Sequence, residues 1–206
     1  FLPVNANTLI LANDGNYRVA PFIEYLEETG EEIGIEQILS PNLNWTQNQD
    51  DDVNFGFSNH AYWLKFNIEN HNILNQEWAL ELAYPILDSV DVYVVNNHRQ
   101  VISYFYGGDK VSVKEKFVRH PNIVFPIDLF PYESTTIYAR VESEGAIQVP
   151  LVFWEWDDFN FHTLIHFLFQ GLFYGMVLIM AIYNFMVWLS VKERVYVSYV
   201  SYILFF

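Results

Sequence analysis

From Phe167 to Leu189 the chain runs for 23 residues without a formal charge. A hydrocarbon core of about 30 Å takes roughly 20 apolar residues as a helix, and a buried soluble helix of this length would carry a polar face. The stretch therefore predicts a first transmembrane helix over 161–190. Glu155, Asp157 and Asp158 precede it, and Lys192 and Arg194 follow it. Basic residues favour the cytoplasmic side, so the N-terminal part is expected outside. Val195 to Phe206 is a second apolar run, too short to span. It reads as the start of a truncated second transmembrane helix over 195–206, reached by a tight turn at Lys192-Glu193-Arg194.

His162, His166, Gln170, Tyr174 and Asn184 recur within the first helix at spacings that put most of them on one side. Gly171 and Gly175 form a small-xxx-small pair beside them, which suits close approach by another helix. Polar groups in lipid are expensive and face a bundle interior. His162 and His166 lack a third ligand on the same face, so no metal is assigned to them.

Charge divides the chain at about the same place. Residues 1–160 hold 24 of the 25 acidic and 8 of the 10 basic residues, a net charge near −16. Such a domain repels nucleic acid, whose phosphates need Lys and Arg, and its net charge favours a neutral or cationic ligand. There is no cysteine, hence no disulfide framework and no thiolate site. Residues 1–6 (Phe1 to Ala6) read either as the tail of a signal peptide or as an ordinary apolar N-terminus.

Residues 7–158 carry short alternating apolar runs separated by Asn, Pro, Gly and Asp clusters, the pattern of an antiparallel β-sandwich. The clearest strands are Tyr62–Glu69, Trp78–Tyr84, Val90–Val95, Ile123–Pro126, Thr135–Glu142 and Ile147–Trp154, with helical turns expected only near Ile35–Leu39 and Tyr25–Thr29. The fold class is mostly β: a jelly-roll-like sandwich followed by a transmembrane helix. Strand parity turns Leu64, Val92 and Ala139 inward. It leaves Trp63, Lys65, Asp91, Tyr93, Tyr138, Arg140, Glu142 and Trp154 outward as the candidate ligand-binding set. Flat rings cover the C–H face of a sugar while charged groups bond its hydroxyls. Alternatively, these residues lie on different sheets or form wet cross-strand ion pairs, because parity does not say which strands are neighbours.

Other chemistry is sparse. Asp50, Asp52 and Asn54 superficially suit a calcium loop, but the glycine is displaced to Gly56 and Ala61 stands where a bidentate Glu belongs. No phosphate loop, serine elbow or HExxH motif occurs, so neither catalytic residue, metal nor cofactor is assigned.

The order of motifs carries a family resemblance. Ala61-Tyr62-Trp63-Leu64-Lys65-Phe66, the segment Leu80 to Tyr93, His120 to Pro126, Ile137 to Ser143, Val149-Pro150-Leu151, and then Tyr174-Gly175 and Tyr183-Asn184 follow one another as they do in one bacterial group. The chain resembles the seven-transmembrane receptors with diverse intracellular signalling modules (7TMR-DISM), with the second type of extracellular domain. It departs from the pattern in Lys65, where Arg is usual, and in Asn96-Asn97-His98, where a Gly-containing turn is common. The resemblance implies a periplasmic jelly-roll sensor for a carbohydrate or related small molecule, anchored in the inner membrane. It further implies seven membrane helices, the others being partners for this one, and a cytoplasmic output such as a diguanylate cyclase or histidine kinase. The part in hand is then no enzyme. Oligomeric state stays open, a homodimer included. An envelope adhesion module that touches a protein partner is the alternative, and an extracellular hydrolase, lacking any arranged nucleophile, comes last.

Overall fold

The computed structural model describes residues 8–12, 15–30, 32–73 and 77–205; the N-terminal segment 1–6 lies outside them. In chain order the strands are β1 (Thr8–Leu11), β2 (Asn16–Arg18) and, after a 3-10 turn at Ala20–Phe22, β3 (Glu24–Glu27). A one-turn helix α1 (Ile35–Ile38) leads to β4 (Thr46–Gln47), β5 (Asn54–Phe57) and β6 (Tyr62–Asn70). Then come β7 (Glu77–Leu82), β8 (Ser89–Asn96), β9 (Val101–Gly107), β10 (Ile123–Asp128), β11 (Ser134–Glu142), β12 (Ala146–Gln148) and β13 (Leu151–Glu155). Two helices follow, α2 (Trp156–Val191) and α3 (Arg194–Phe205).

Period-two alternation decides which faces meet. Leu64, Phe66 and Ile68 of β6, Val90, Val92 and Val94 of β8, and Ile137, Ala139 and Val141 of β11 are all buried. They share one core with Trp78, Leu80 and Leu82 of β7, Phe125 of β10 and Phe153 of β13. Those groups come from two sheets. The large one runs β4-β3-β6-β11-β8-β9, with β1 parallel to the far half of β6; the small one runs β10-β7-β13-β2. The fold is thus a mostly antiparallel β-sandwich, as the alternation predicts.

Two local expectations need correction. The segment near Tyr25–Thr29 forms strand β3 rather than a helical turn, because Glu24 to Glu27 pair with Lys65 to Tyr62 of β6. The single strand expected over Ile147–Trp154 is two. Pro150 has no N–H to donate to a ladder, and on either side of it β12 pairs with β5 while β13 pairs with β7.

The chain divides into two compact units at Phe159/Asn160. In the second, α2 continues as one helix long and apolar enough to cross a membrane. Its large apolar side chains, among them Leu168, Phe173, Ile179 and Met186, are about half to two-thirds exposed, a surface that requires lipid or other helices to cover it. Lys192 takes φ 59° and donates its N–H to the Trp188 carbonyl at 2.7 Å, closing the helix with a left-handed cap.

One glycine is sterically obligatory. Gly108, at φ 132°, ends the β9 hairpin arm where a Cβ would lie 2.2 Å from the Asp88 carbonyl oxygen. Replacing it with alanine therefore collides with backbone as well as straining φ. Gly108→Ala is expected to lower stability by about 2 kcal/mol or more, read as a fall in the thermal midpoint of the detergent-solubilised chain.

Candidate ligand-binding site

The register of the large sheet places chemistry-bearing residues in two cross-strand rows on its outer face. One row reads Glu24, Lys65, Tyr138, Tyr93, Tyr104; the next reads Leu26, Trp63, Arg140, Asp91, Tyr106. Seven of the eight outward residues picked by parity, with Glu142 one step along β11, thus share a face. Trp154 does not. Its strand belongs to the small sheet, where the indole N–H donates to Glu81 at 2.8 Å and the ring meets Phe159. Parity separates the sides of a strand and leaves the sheet unassigned.

This face is covered. The segment between β3 and β4 crosses it and is tied at both ends. At one end Glu28 accepts from Arg140 Nη2 at 3.0 Å, from Arg140 Nε at 3.2 Å and from the Trp63 indole at 3.1 Å. At the other end the Trp45 ring packs against that of Tyr138, and just past β4 Asn48 Nδ2 anchors the chain by donating to the carbonyls of Ala20 at 3.0 Å and Asp50 at 2.7 Å. Trp63, expected to point into solvent, is consequently 1% exposed. Burial pushes the Glu28 carboxyl up, but the Arg140 hydrogen bonds and charge, the Ile33 backbone and the Trp63 indole outweigh it and hold its pKa below the ordinary value. Arg140 also pairs with Glu142 at 2.9 Å on the exposed rim.

Beyond the clamp the rings form a run along the sheet. Trp63 stacks on Tyr93 at 5.8 Å between centroids, Tyr93 meets Tyr104 at 4.9 Å, and the Tyr104 hydroxyl donates to Asp91 at 2.6 Å. Burial, reinforced by Asp91, pushes the Tyr104 hydroxyl pKa up. Five of the eight candidates, Trp63, Asp91, Tyr93, Arg140 and Glu142, are thus engaged with one another or with Glu28 and Tyr104.

Lys65 and Tyr138 are placed differently. They line a recess of about 240 Å³ together with Trp45, Arg99 and the loop from Ile38 to Pro41. The Trp45 ring stands 6.0 Å from that of Tyr138, and Lys65 Nζ lies 4.7 Å from its centroid. Glu24, beside Lys65 in its row, forms an ion pair with it. Sequence reasoning missed Trp45 and Arg99. The available signals were an aromatic ring inside the Pro41-Asn42-Leu43-Asn44 loop and a cation beside the Asn96-Asn97-His98 turn. Two rings, an amine, a guanidinium and the Ser40 hydroxyl around so small a space can hold one small polar molecule by stacking and charge-assisted hydrogen bonds. Among the described residues no cluster of His, Asp and Glu is arranged to hold a metal ion.

Comparison with known proteins is decisive for the family. The family described as 7TMR-DISM extracellular 2 matches residues 20–155, and the one described as 7TM diverse intracellular signalling matches residues 166–206. The chain belongs to the 7TMR-DISM receptors. No curated protein matches it. This 7TMR-DISM chain therefore carries an extracellular domain outside the cytoplasm followed by membrane-spanning structure, and both matched regions are receptor regions rather than catalytic families.

The Glu28–Arg140 pair sets an acid limit on stability. A carboxyl whose folded pKa is depressed contributes stability that is full above its ordinary value of 4.5 and lost as pH falls through the folded pKa. Glu28→Gln, which leaves Arg140 buried without its counter-charge, is expected to cost about 3 kcal/mol at pH 7. Urea titrations at pH 7 and pH 3.5 check this: the gap between wild type and variant shrinks at the lower pH.

Proposed function

We propose that the 7TMR-DISM sandwich, jelly-roll-like in architecture, is a periplasmic ligand-sensing domain that takes a saccharide or similar small molecule in the Trp45–Tyr138 recess. The observation that carries this reading is the recess itself: two aromatic rings, tilted 56° to each other, with Lys65 and Arg99 beside them. Its volume lies below the range of roughly 300–1,000 Å³ common for drug-sized ligands, which favours a single ring over an oligomer. Two walls belong to rigid strands, and the third is the clamped segment around α1. Ligand can therefore draw that segment and the sheet together. Such a movement signals only through a difference in affinity between two arrangements.

Transmission follows from chain continuity. β13 ends at Glu155 and α2 starts at Trp156 with no residue between. The first helical turn belongs to the same compact unit as the sandwich. Phe159 is 2% exposed there, packed with Ala79 and Val124 of the small sheet and with Trp154 and Trp156. On this reading the domain faces the periplasm from the inner membrane, and its signal passes through a seven-helix region to a cytoplasmic output module.

Saccharide binding is tested by thermal unfolding of the detergent-solubilised chain against a panel of mono- and disaccharides. At a hundredfold excess over Kd a bound sugar adds about 2.7 kcal/mol, so the sandwich midpoint is expected to rise by several degrees and the rise to vanish in Trp45→Ala. A panel without any shift rejects the reading. In the intact receptor, a flexible Gly/Ser insertion after Asn160 is expected to leave that shift unchanged and to abolish ligand-dependent output; retained output rejects the coupling through α2.

A second reading, an adhesion module touching a protein partner, has one observation in its favour. Edge strand β9 has no charged residue, and its Tyr104 and Tyr106 are 49% and 39% exposed beside Phe117. Loss of partner contact on Tyr106→Glu, with no small-molecule shift in the panel, would select it.

A further inference from the structure

The recess concentrates positive charge in a chain with 25 acidic and only 10 basic residues. Lys65 and Arg99 both line it. Lys65 is half of an ion pair with Glu24, whereas Arg99 enters no ion pair among the described residues. These three groups together leave one net positive charge. Both Arg99 and Glu24 are felt at the Tyr138 hydroxyl: burial raises its pKa, the Arg99 charge opposes that rise and the Glu24 charge adds to it.

Backbone geometry supplies an independent sign. Arg99 sits at φ 58° in the β8–β9 turn, its N–H donating to the Asn96 carbonyl at 2.9 Å. Glycine adopts that left-handed conformation freely, whereas a side chain there costs about 1 kcal/mol. A long cationic residue held where glycine is cheaper, and lining a recess, breaks a local rule, and such breaks gather at functional positions. The overall negative charge of the domain does not decide the matter, because salt screens it beyond about 8 Å while the two cations border the ligand.

We propose that the recess selects a sugar-sized monoanion, a polyhydroxylated ring bearing a carboxylate. The sugar ring packs against the open surface of the Trp45 and Tyr138 pair, and the carboxylate is held by the Arg99 fork and Lys65 Nζ. The guanidinium matches a planar carboxylate with two parallel hydrogen bonds. This inference rests on the sensing function proposed above and narrows its ligand class.

The test is calorimetric titration of the full chain in detergent micelles with glucuronate, galacturonate, their neutral parents glucose and galactose, and glucose 6-phosphate. At least one uronate is expected to bind tenfold or more tightly than its parent, a difference of about 1.4 kcal/mol. Arg99→Gln, on an exposed turn, is expected to bring the two to parity without moving the thermal midpoint of the unliganded protein. Trp45→Ala is expected to abolish binding of both. Neutral sugars binding as tightly as the uronates, and lost in Trp45→Ala, overturn the anion assignment and leave the sensor reading standing. A uronate preference that survives in Arg99→Gln overturns the role of Arg99. Glucose 6-phosphate outbinding both uronates overturns the carboxylate. Silence from every probe overturns this inference, and the saccharide reading falls with it only if the wider thermal panel is silent too.

Discussion

The buried ion pair between Glu28 and Arg140 governs what the outer face of the large sheet becomes. Without it, the strands would present a row of rings and charges to water, as in any solvated sheet. With it, the segment that starts at Glu28 is held against the face, Trp63 is sealed beneath, and an aromatic from that segment, Trp45, is set against Tyr138. A buried pair of this kind contributes modestly to net stability relative to an apolar replacement, but removing one partner strands the other charge. Its value here lies in geometry: a two-point guanidinium–carboxylate contact orients the segment and also engages the indole.

The recess then follows from division of labour. β6 and β11 supply Lys65 and Tyr138 from a paired, buried-backed sheet, so their positions are rigid. The crossing segment and the β8–β9 turn supply Trp45 and Arg99 from loops. Sites built of strand residues facing loop residues combine a fixed reference with a movable wall, which is what a receptor domain needs if occupancy is to be felt elsewhere. The opposite sheet carries the connection to the helix. β13 carries Trp154 into contact with Phe159 and runs without a linker into α2, so an interior strand of the small sheet is continuous in sequence with the apolar rod.

Much of this was legible beforehand, for identifiable reasons. Leu64, Phe66 and Ile68 against Trp63, Lys65 and Asn67 is a period-two signal that survives any tertiary arrangement, and β8 and β11 repeat it. The motif order from Ala61 to Asn184 pointed to the receptor family that the comparisons then matched over 20–155 and 166–206. Other features were hidden because they are relations between distant segments. The split at Pro150 depends on which strands lie alongside, Trp154 was assigned to the wrong company because parity is blind to sheets, and Tyr25 reads as strand only because β6 offers an edge. A whole-chain charge sum likewise says nothing of where Lys65 and Arg99 come to line one recess.

What the sequence by itself determined, then, is whatever depends on local pattern: an alternating β domain outside, an uncharged rod of membrane length, and an order of motifs that marks the family. What only the tertiary structure decided is which of the outward residues line an open recess and which are tied up in holding the protein together. Trp63 and Arg140 look as available as Lys65 and Tyr138 along their strands, and it is the Glu28 carboxylate, 112 positions before Arg140 in the chain, that claims the first two and leaves the second two to the recess. Burial is a property of what arrives from elsewhere in the chain, and no local pattern encodes it.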